Sequence, residues 1–397
     1  MAWAEPHGKG RFRGRYLGPS GEKLTASGPT GQRSSTSKRE AKRWAEEAEA
    51  QLRHGTWHDE RAGRKTFAEY FTEDFLPNRV VELNQHKTYV SHYNSSLERA
   101  FGALELGKIT GPVIQRWVAA EVKAGTHPKT LDNKFRTLQT VLAGQRGVSA
   151  LRDGLIAKNP CEGISLPTVD RRKAHNYTVP EVDLLMTALD DWWVPLVMLQ
   201  ADTGIRWGEL MGLRVSSLES DPITGRENAW LSVRDTILEV TKADTGNGTP
   251  FMWKARPKGK RPRRIMISPE VSAVLGTEIK ARRLFGHDRL FSWPGSAGLP
   301  LRTKAWPDGR PVSRRTFLDI WHAAHDEAAL PREGRRPHDV RGSHITWLLQ
   351  AGVDVVTVME RVGHVNMSTT QGYTDPGKDA EERAQAAMAQ LRARYRA

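Results

Sequence analysis

Residues 338–373 read HDVRGSHITWLLQAGVDVVTVMERVGHVNMSTTQGY. His338 and Arg341 stand three apart in a run with helical character. On a helix such positions share a face, so an imidazole and a guanidinium point at one spot. A structural histidine beside an arginine paired to Asp339 would give the same spacing. Further on, His364 lies nine residues before Tyr373, and Thr370 lies three before it. Taken alone, Tyr373 reads more readily as a half-buried aromatic packing a terminal helix than as a reactive group, because aromatics pack more often than they react.

Upstream, Ala201-Asp-Thr-Gly-Ile-Arg206-Trp-Gly-Glu209-Leu places a glycine and then an arginine at the opening of an apolar helix. A guanidinium near a helix N-terminus suits an anion. Residues 251–268, FMWKARPKGKRPRRIMIS, read as two strands forming a hairpin around a basic turn. That turn carries Lys254, Arg256, Lys258, Lys260, Arg261, Arg263 and Arg264 with no acid among them. Such a cluster repels itself unless it meets a polyanion or stays mobile in solvent. Residues 229–240, AWLSVRDTILEV, have a strand-like composition.

Arg206, Lys258, His338-x-x-Arg341, His364 and Tyr373 follow one another in the order found in tyrosine recombinases, and the chain resembles a phage-type integrase. The resemblance is strongest over 175–380. It implies that Tyr373 is the nucleophile on a DNA phosphodiester and that Arg206, Arg341 and His364 bind the phosphate oxygens. His338 would be the general base, and Lys258, with Lys254 and Lys260 close by, the general acid. It further implies a 3′-phosphotyrosyl intermediate that needs no ATP, metal or cofactor. Glu209 matches the acidic residue that often follows the first arginine, where it orients neighbours. Val362, Gly259 and Pro262 depart from the family's usual residues, and none of these changes removes a reactive group.

The resemblance also divides the chain. Residues 1–60 resemble an arm-type DNA-binding domain, a small three-stranded sheet plus a helix. Residues 65–167 are similar to a helical core-site-binding domain, 175–380 to the catalytic domain, and 381–397 to a tail helix that docks on a neighbouring protomer. The fold class expected is therefore multidomain α+β, with a mainly α catalytic domain holding a small antiparallel sheet.

The residues themselves support parts of this plan. Arg11, Arg13 and Arg15 recur at period two, so they share one strand face, against DNA or as a charged edge. A helix is expected from Ser37, with Ala41, Trp44, Ala45, Ala48 and Leu52 inward and Gly55 as its stop. Thr66-Phe-Ala-Glu69 and Thr178-Val-Pro-Glu181 fit capping boxes. Phe67, Tyr70, Phe71 and Phe75 line one face. Later helices are expected with Val113, Ile114, Trp117, Val118 and Val122 inward, and from Thr130 with Leu131, Phe135, Leu138 and Leu142 inward. Lys129, Lys134 and Arg136 fall toward the polar side. Candidate DNA contacts are Arg11, Arg13, Arg15, Lys129, Lys134, Lys260 and Arg263. From 269 onward the pattern reads as helical.

Composition sets the outer bounds. The 397 residues carry 60 Lys plus Arg against 46 Asp plus Glu, a formal charge of +14 that favours a polyanion partner. A single cysteine, Cys161, cannot form an internal disulfide or, alone, a structural zinc site. No apolar run approaches the length of a spanning helix, and no signal-peptide pattern opens the chain. The expectation is a cytoplasmic enzyme in a bacterial host, associated with the nucleoid. By resemblance, its partners are double-stranded DNA at core and arm sites, three further copies in a homo-tetramer, a host DNA-bending protein and an excisionase. The rivals are a transposase of a conjugative element, a chromosome-dimer resolvase, a type IB topoisomerase and a non-catalytic DNA-binding regulator.

Overall fold

The computed structural model describes residues 2–19, 21–29, 31–54, 62–169, 175–219, 230–246, 248–255 and 262–364. The chain forms two compact units, 1–171 and 172–397. Among the described residues no helix is long and apolar enough to cross a membrane.

The first unit opens with an antiparallel sheet, β1 (Trp3–Pro6), β2 (Phe12–Leu17) and β3 (Lys23–Thr25), in that spatial order. Helix α1 (Lys38–Arg53) is capped by Ser37, whose hydroxyl accepts from the Glu40 amide. It lies flush on β2 because Gly14 has no side chain: a Cβ there would meet the Ala41 carbonyl oxygen. Tyr16, Leu24, Ala26, Trp44 and Ala45 form the small core. Alternation along β2 then sends Arg13 and Arg15 to the opposite face. Arg15 is partly engaged there, with Glu5 at 2.9 Å and the Thr25 hydroxyl at 2.7 Å. Gly55 lies outside the described residues.

The second part of this unit is helical. The Thr66–Glu69 capping box forms with both hydrogen bonds. It starts α2 (Phe67–Glu69), which runs through a π-helical turn (Tyr70–Phe75) into α3 (Leu76–Asn78). Then come α4 (Leu83–His92), a second π turn (Tyr93–Leu97) and α5 (Glu98–Phe101), followed by α6 (Gly111–Lys123) and α7 (Pro128–Ala143). An aromatic core joins them, with Phe71 and Tyr93 stacked at 4.1 Å. Two expectations shift. Helix α7 begins at Pro128, ahead of Thr130, because proline suits the first helical position and the His127 ring accepts the Lys129 amide. Val122, in the last turn of α6, is exposed.

Lys134 needs a larger correction. Its ammonium is buried 2.8 Å from Glu121, whose carboxylate also accepts from Ser96 and Thr126. It holds an internal ion pair and does not face solvent. Removing one partner of such a pair strands the other charge. Lys134→Ala is therefore expected to cost about 3–5 kcal/mol of stability in urea denaturation. The salt dependence of DNA binding should stay unchanged; a log–log slope shallower by about one would return Lys134 to the phosphate contacts. Lys129 and Arg136 are exposed and both pair with Asp132.

The second unit begins with α8 (Val179–Ala188), started by the Thr178–Glu181 capping box, then α9 (Val194–Thr203) and α10 (Trp207–Gly212). Strands β4 (Leu218–Glu219), β5 (Trp230–Val233), β6 (Asp235–Glu239), β7 (Phe251–Ala255) and β8 (Arg263–Met266) follow. The expected hairpin between β7 and β8 does not form. β7 pairs with β6 and β8 pairs with β5, all antiparallel. β5 and β6 are consecutive, separated only by Arg234, but they lie in two separate sheets, β4-β5-β8 and β6-β7. β7 ends at Ala255, opposite Asp235, and β8 begins at Arg263, opposite Val233.

Helix α11 (Pro269–Ala281) is followed by 282–313, which is mostly turns and bridges. The uniformly helical reading of this stretch fails because Gly286, Pro294, Gly295, Pro300, Pro307, Gly309 and Pro311 interrupt it. Helices α12 (Arg314–Glu327), α13 (Pro337–Gln350) and α14 (Val355–Val362) complete the described unit. Their core includes Leu185, Leu196, Leu210, Phe317, Trp321 and Val340.

Candidate active site

Two helix ends meet at the site. Helix α9 stops at Gly204, in the left-handed region at φ +61°, and α14 stops at Gly363, at φ +68°. A helix C-terminus leaves carbonyl oxygens without intrahelical donors. Arginines fill that need here. Arg341, on α13 and 3% exposed, donates to the Gly204 carbonyl and, at 2.8 Å, to that of Val362. Arg206, just before α10, donates to the carbonyls of Val362 at 3.3 Å and Gly363 at 2.8 Å. Each guanidinium is thus held on fixed carbonyl oxygens.

Glu209 ties this arrangement together. It is 1% exposed and accepts from the Arg206 backbone at 3.1 Å and side chain at 3.2 Å. It also receives a bidentate pair from Arg263, at 3.1 and 2.7 Å. Burial alone would raise the Glu209 pKa, but the hydrogen bonds and charge of Arg263, with Arg206, hold it below the usual carboxylate range. Arg263 donates its Nε to the Arg361 carbonyl at 3.0 Å. Expected among the DNA contacts, Arg263 is instead an internal clamp between β8, α10 and α14.

His338 sits at the start of α13, one turn before Arg341, on the same face as the spacing predicts. His364 follows Gly363, its amide donating to the Met359 carbonyl at 2.9 Å. Loss of hydration, then the charges of Arg341 and Arg314, pushes the His338 pKa down to about 4. His338 is exposed to solvent on one side, and its lowered pKa keeps it neutral at pH 7. His364 is likewise pushed down to about 4, by burial and then by Arg341, Arg206 and Arg263. His338 is itself among the groups whose charge His364 feels, so Arg206, Arg341, His338 and His364 share one neighbourhood.

Lys258, Lys260, Thr370 and Tyr373 lie outside the described residues. Lys254 is described, near the end of β7 opposite Thr236. Sequence reading missed Arg361, His344 and Arg314. His344 repeats the three-residue step of His338 and Arg341, a signal that was available; nothing local marks Arg314, whose charge reaches His338 from α12.

The profile of the phage integrase family matches residues 176–379, just over half of the chain. The integrase of Mycobacterium phage L5 is 24% identical over 324 residues, covering 81% of this chain and 79% of that one. The tyrosine recombinase XerC of Mycobacterium sp. (strain KMS) is 28% identical over 285 residues, covering 70% and 81%. Among solved structures, the Tn1549 transposon integrase in complex with a circular intermediate DNA superposes with a TM-score of 0.64 at 19% identity, covering 81% of this chain and 99% of that one. A lambda integrase tetramer bound to a Holliday junction gives 0.54 at 17%, covering 94% and 95%. These likenesses show the multidomain α+β fold. The chain belongs to the phage integrase family and is a phage-type tyrosine recombinase.

Proposed function

We propose that this recombinase integrates and excises a mobile element by cutting and rejoining DNA strands through Tyr373. What supports this reading is that Arg206 and Arg341 are fixed on the carbonyl ends of α9 and α14, with His338 and His364 close enough to feel the same charges. A phosphodiester placed there gains negative charge on its non-bridging oxygens in the transition state. Preorganised donors stabilise that charge without reorganising.

In the proposed step the Tyr373 oxygen attacks phosphorus and the bond to the 5′ oxygen breaks. A free tyrosine has a pKa near 10, so only about one in a thousand is phenolate at neutral pH. Neutral His338 accepts the phenol proton, and Lys258 gives a proton to the departing 5′ oxygen. The 3′-phosphotyrosyl link keeps the bond energy, and a 5′-hydroxyl attacking it rejoins the strand without ATP. Four protomers would act on two core sites, and residues 1–60 would hold arm sites, raising affinity through effective concentration. A host bending protein, an excisionase and a nucleoid-associated location complete the reading. A conjugative-transposon role is the second reading, favoured by the Tn1549 superposition.

The test is a nicked duplex carrying the element's junction sequence. The expected product is a covalent protein–DNA adduct whose tryptic peptide carries the modification at Tyr373. No adduct, or one on another residue, would overturn the mechanism. DNA affinity should also fall with salt by about 0.9 log unit per neutralised phosphate, whereas a flat response would contradict binding through the phosphate backbone. A circular intermediate as the main product would favour the transposon role.

A further inference from the structure

Arg361 and His344 lie behind the catalytic arginines, and neither belongs to the set that reacts. His344 is on α13, one turn after Arg341, and is buried. Its Nδ1 is 2.8 Å from the Ala201 carbonyl oxygen near the end of α9. A carbonyl oxygen can only accept, so the proton sits on Nδ1 and Nε2 carries a lone pair. Arg361, in the last turn of α14, aims its Nε–H at that lone pair from 3.3 Å. Its Nη2 donates to the Asp202 carbonyl at 2.8 Å. The imidazole therefore bridges α9 and α14, accepting from one and donating to the other. Burial, then the Arg361 charge, disfavours the imidazolium, consistent with the neutral tautomer that this geometry requires.

The bridge has no slack. Gly204 closes α9 against the same ring: a Cβ there would lie 2.6 Å from His344 Cδ2. The next residues along α14 are Val362 and Gly363, whose carbonyls hold Arg206 and Arg341, and then His364. Moving the end of α14 would move both guanidinium anchors and His364 together.

We infer that Arg361 and His344 form a positioning pair, fixing the end of α14 on α9 so that Arg206, Arg341 and His364 meet the scissile phosphate in register. The inference rests on the proposed use of those three residues. It predicts a loss of rate and little loss of binding, because neither side chain is offered to DNA.

The experiment measures single-turnover cleavage at saturating nicked duplex, and DNA affinity at fixed salt, using the full-length chain. Arg361→Leu and His344→Phe are expected to lower the cleavage rate by about 10²-fold, the scale set by a misplacement near 1 Å. Affinity should change by less than about twofold, which separates positioning from binding. His344→Gln, whose side-chain oxygen can accept from Arg361, should recover most of the rate lost in His344→Phe. Thermal melting checks that each variant folds. Folded His344→Phe and Arg361→Leu cleaving at the wild-type rate would overturn the pair, as would a Gln variant no better than Phe. An adduct with wild type keeps the recombinase reading standing in either case, whereas its absence strikes that reading itself.

Discussion

Tyr373→Phe is expected to abolish covalent adduct formation on nicked DNA while leaving DNA affinity unchanged. The substitution deletes one oxygen, the only atom that would bond to phosphorus, and keeps the ring. The described Arg206, Arg341 and His364 would still bind and polarise the phosphate, with the base His338 in place, but with nothing to attack it. Removing a nucleophile of this kind costs about 10⁶ in rate in a well-studied hydrolase, and here no residual adduct is possible through the same atom. Gel-shift affinity measured beside the adduct assay separates loss of chemistry from loss of binding. An adduct that persists at wild-type yield would mean another residue attacks.

Glu209→Ala is expected to cost about 3–5 kcal/mol of stability and about 10²-fold or more in cleavage. Glu209 is 1% exposed and is the acceptor shared by Arg206 and Arg263. Without it, two guanidinium groups face each other with their charge uncompensated. Arg206 also loses the group that sets its direction. Urea denaturation reads the first effect and single-turnover cleavage the second; a variant as stable and as fast as wild type would contradict the bridging role. Glu209→Gln keeps the volume and some hydrogen bonds, so it should fall between.

The same carboxylate gives a sign to the pH dependence. Its folded pKa is depressed, so its stabilisation is present above the unfolded value near 4.3 and is lost as pH falls through the folded one. His338, His344 and His364 act higher on the scale. Each is pushed down to about 4 from an ordinary value near 6.5, so the unfolded chain takes up their protons first. Their stabilisation is lost between about pH 6.5 and 4, before Glu209 contributes to acid unfolding.

Much of this was legible in residue order. The i, i+3 spacing of His338 and Arg341 fixed their common face once a helix formed, and both capping boxes marked their helix starts. Other features were not legible. Lys134 and Arg263 look, in sequence, like any exposed cation beside other cations. Their partners Glu121 and Glu209 are 13 and 54 residues away in sequence. The partners of β7 and β8 are not legible for a related reason: neighbours along the chain need not be neighbours in a sheet, and here β7 joins β6 while β8 joins β5 in a separate sheet.

The sequence by itself determined the chemical inventory: which candidate donors, bases and nucleophile exist, their order, and the local helices and strands that carry the described ones. Those follow from short-range periodicity and capping, which act within a few residues. The tertiary structure decided which cations are used internally and which face the site. It also set the direction of the arginines, through the carbonyl ends of α9 and α14. That choice depends on burial and on orphaned carbonyl oxygens meeting guanidinium groups more than 100 residues away, and no local pattern encodes such a meeting.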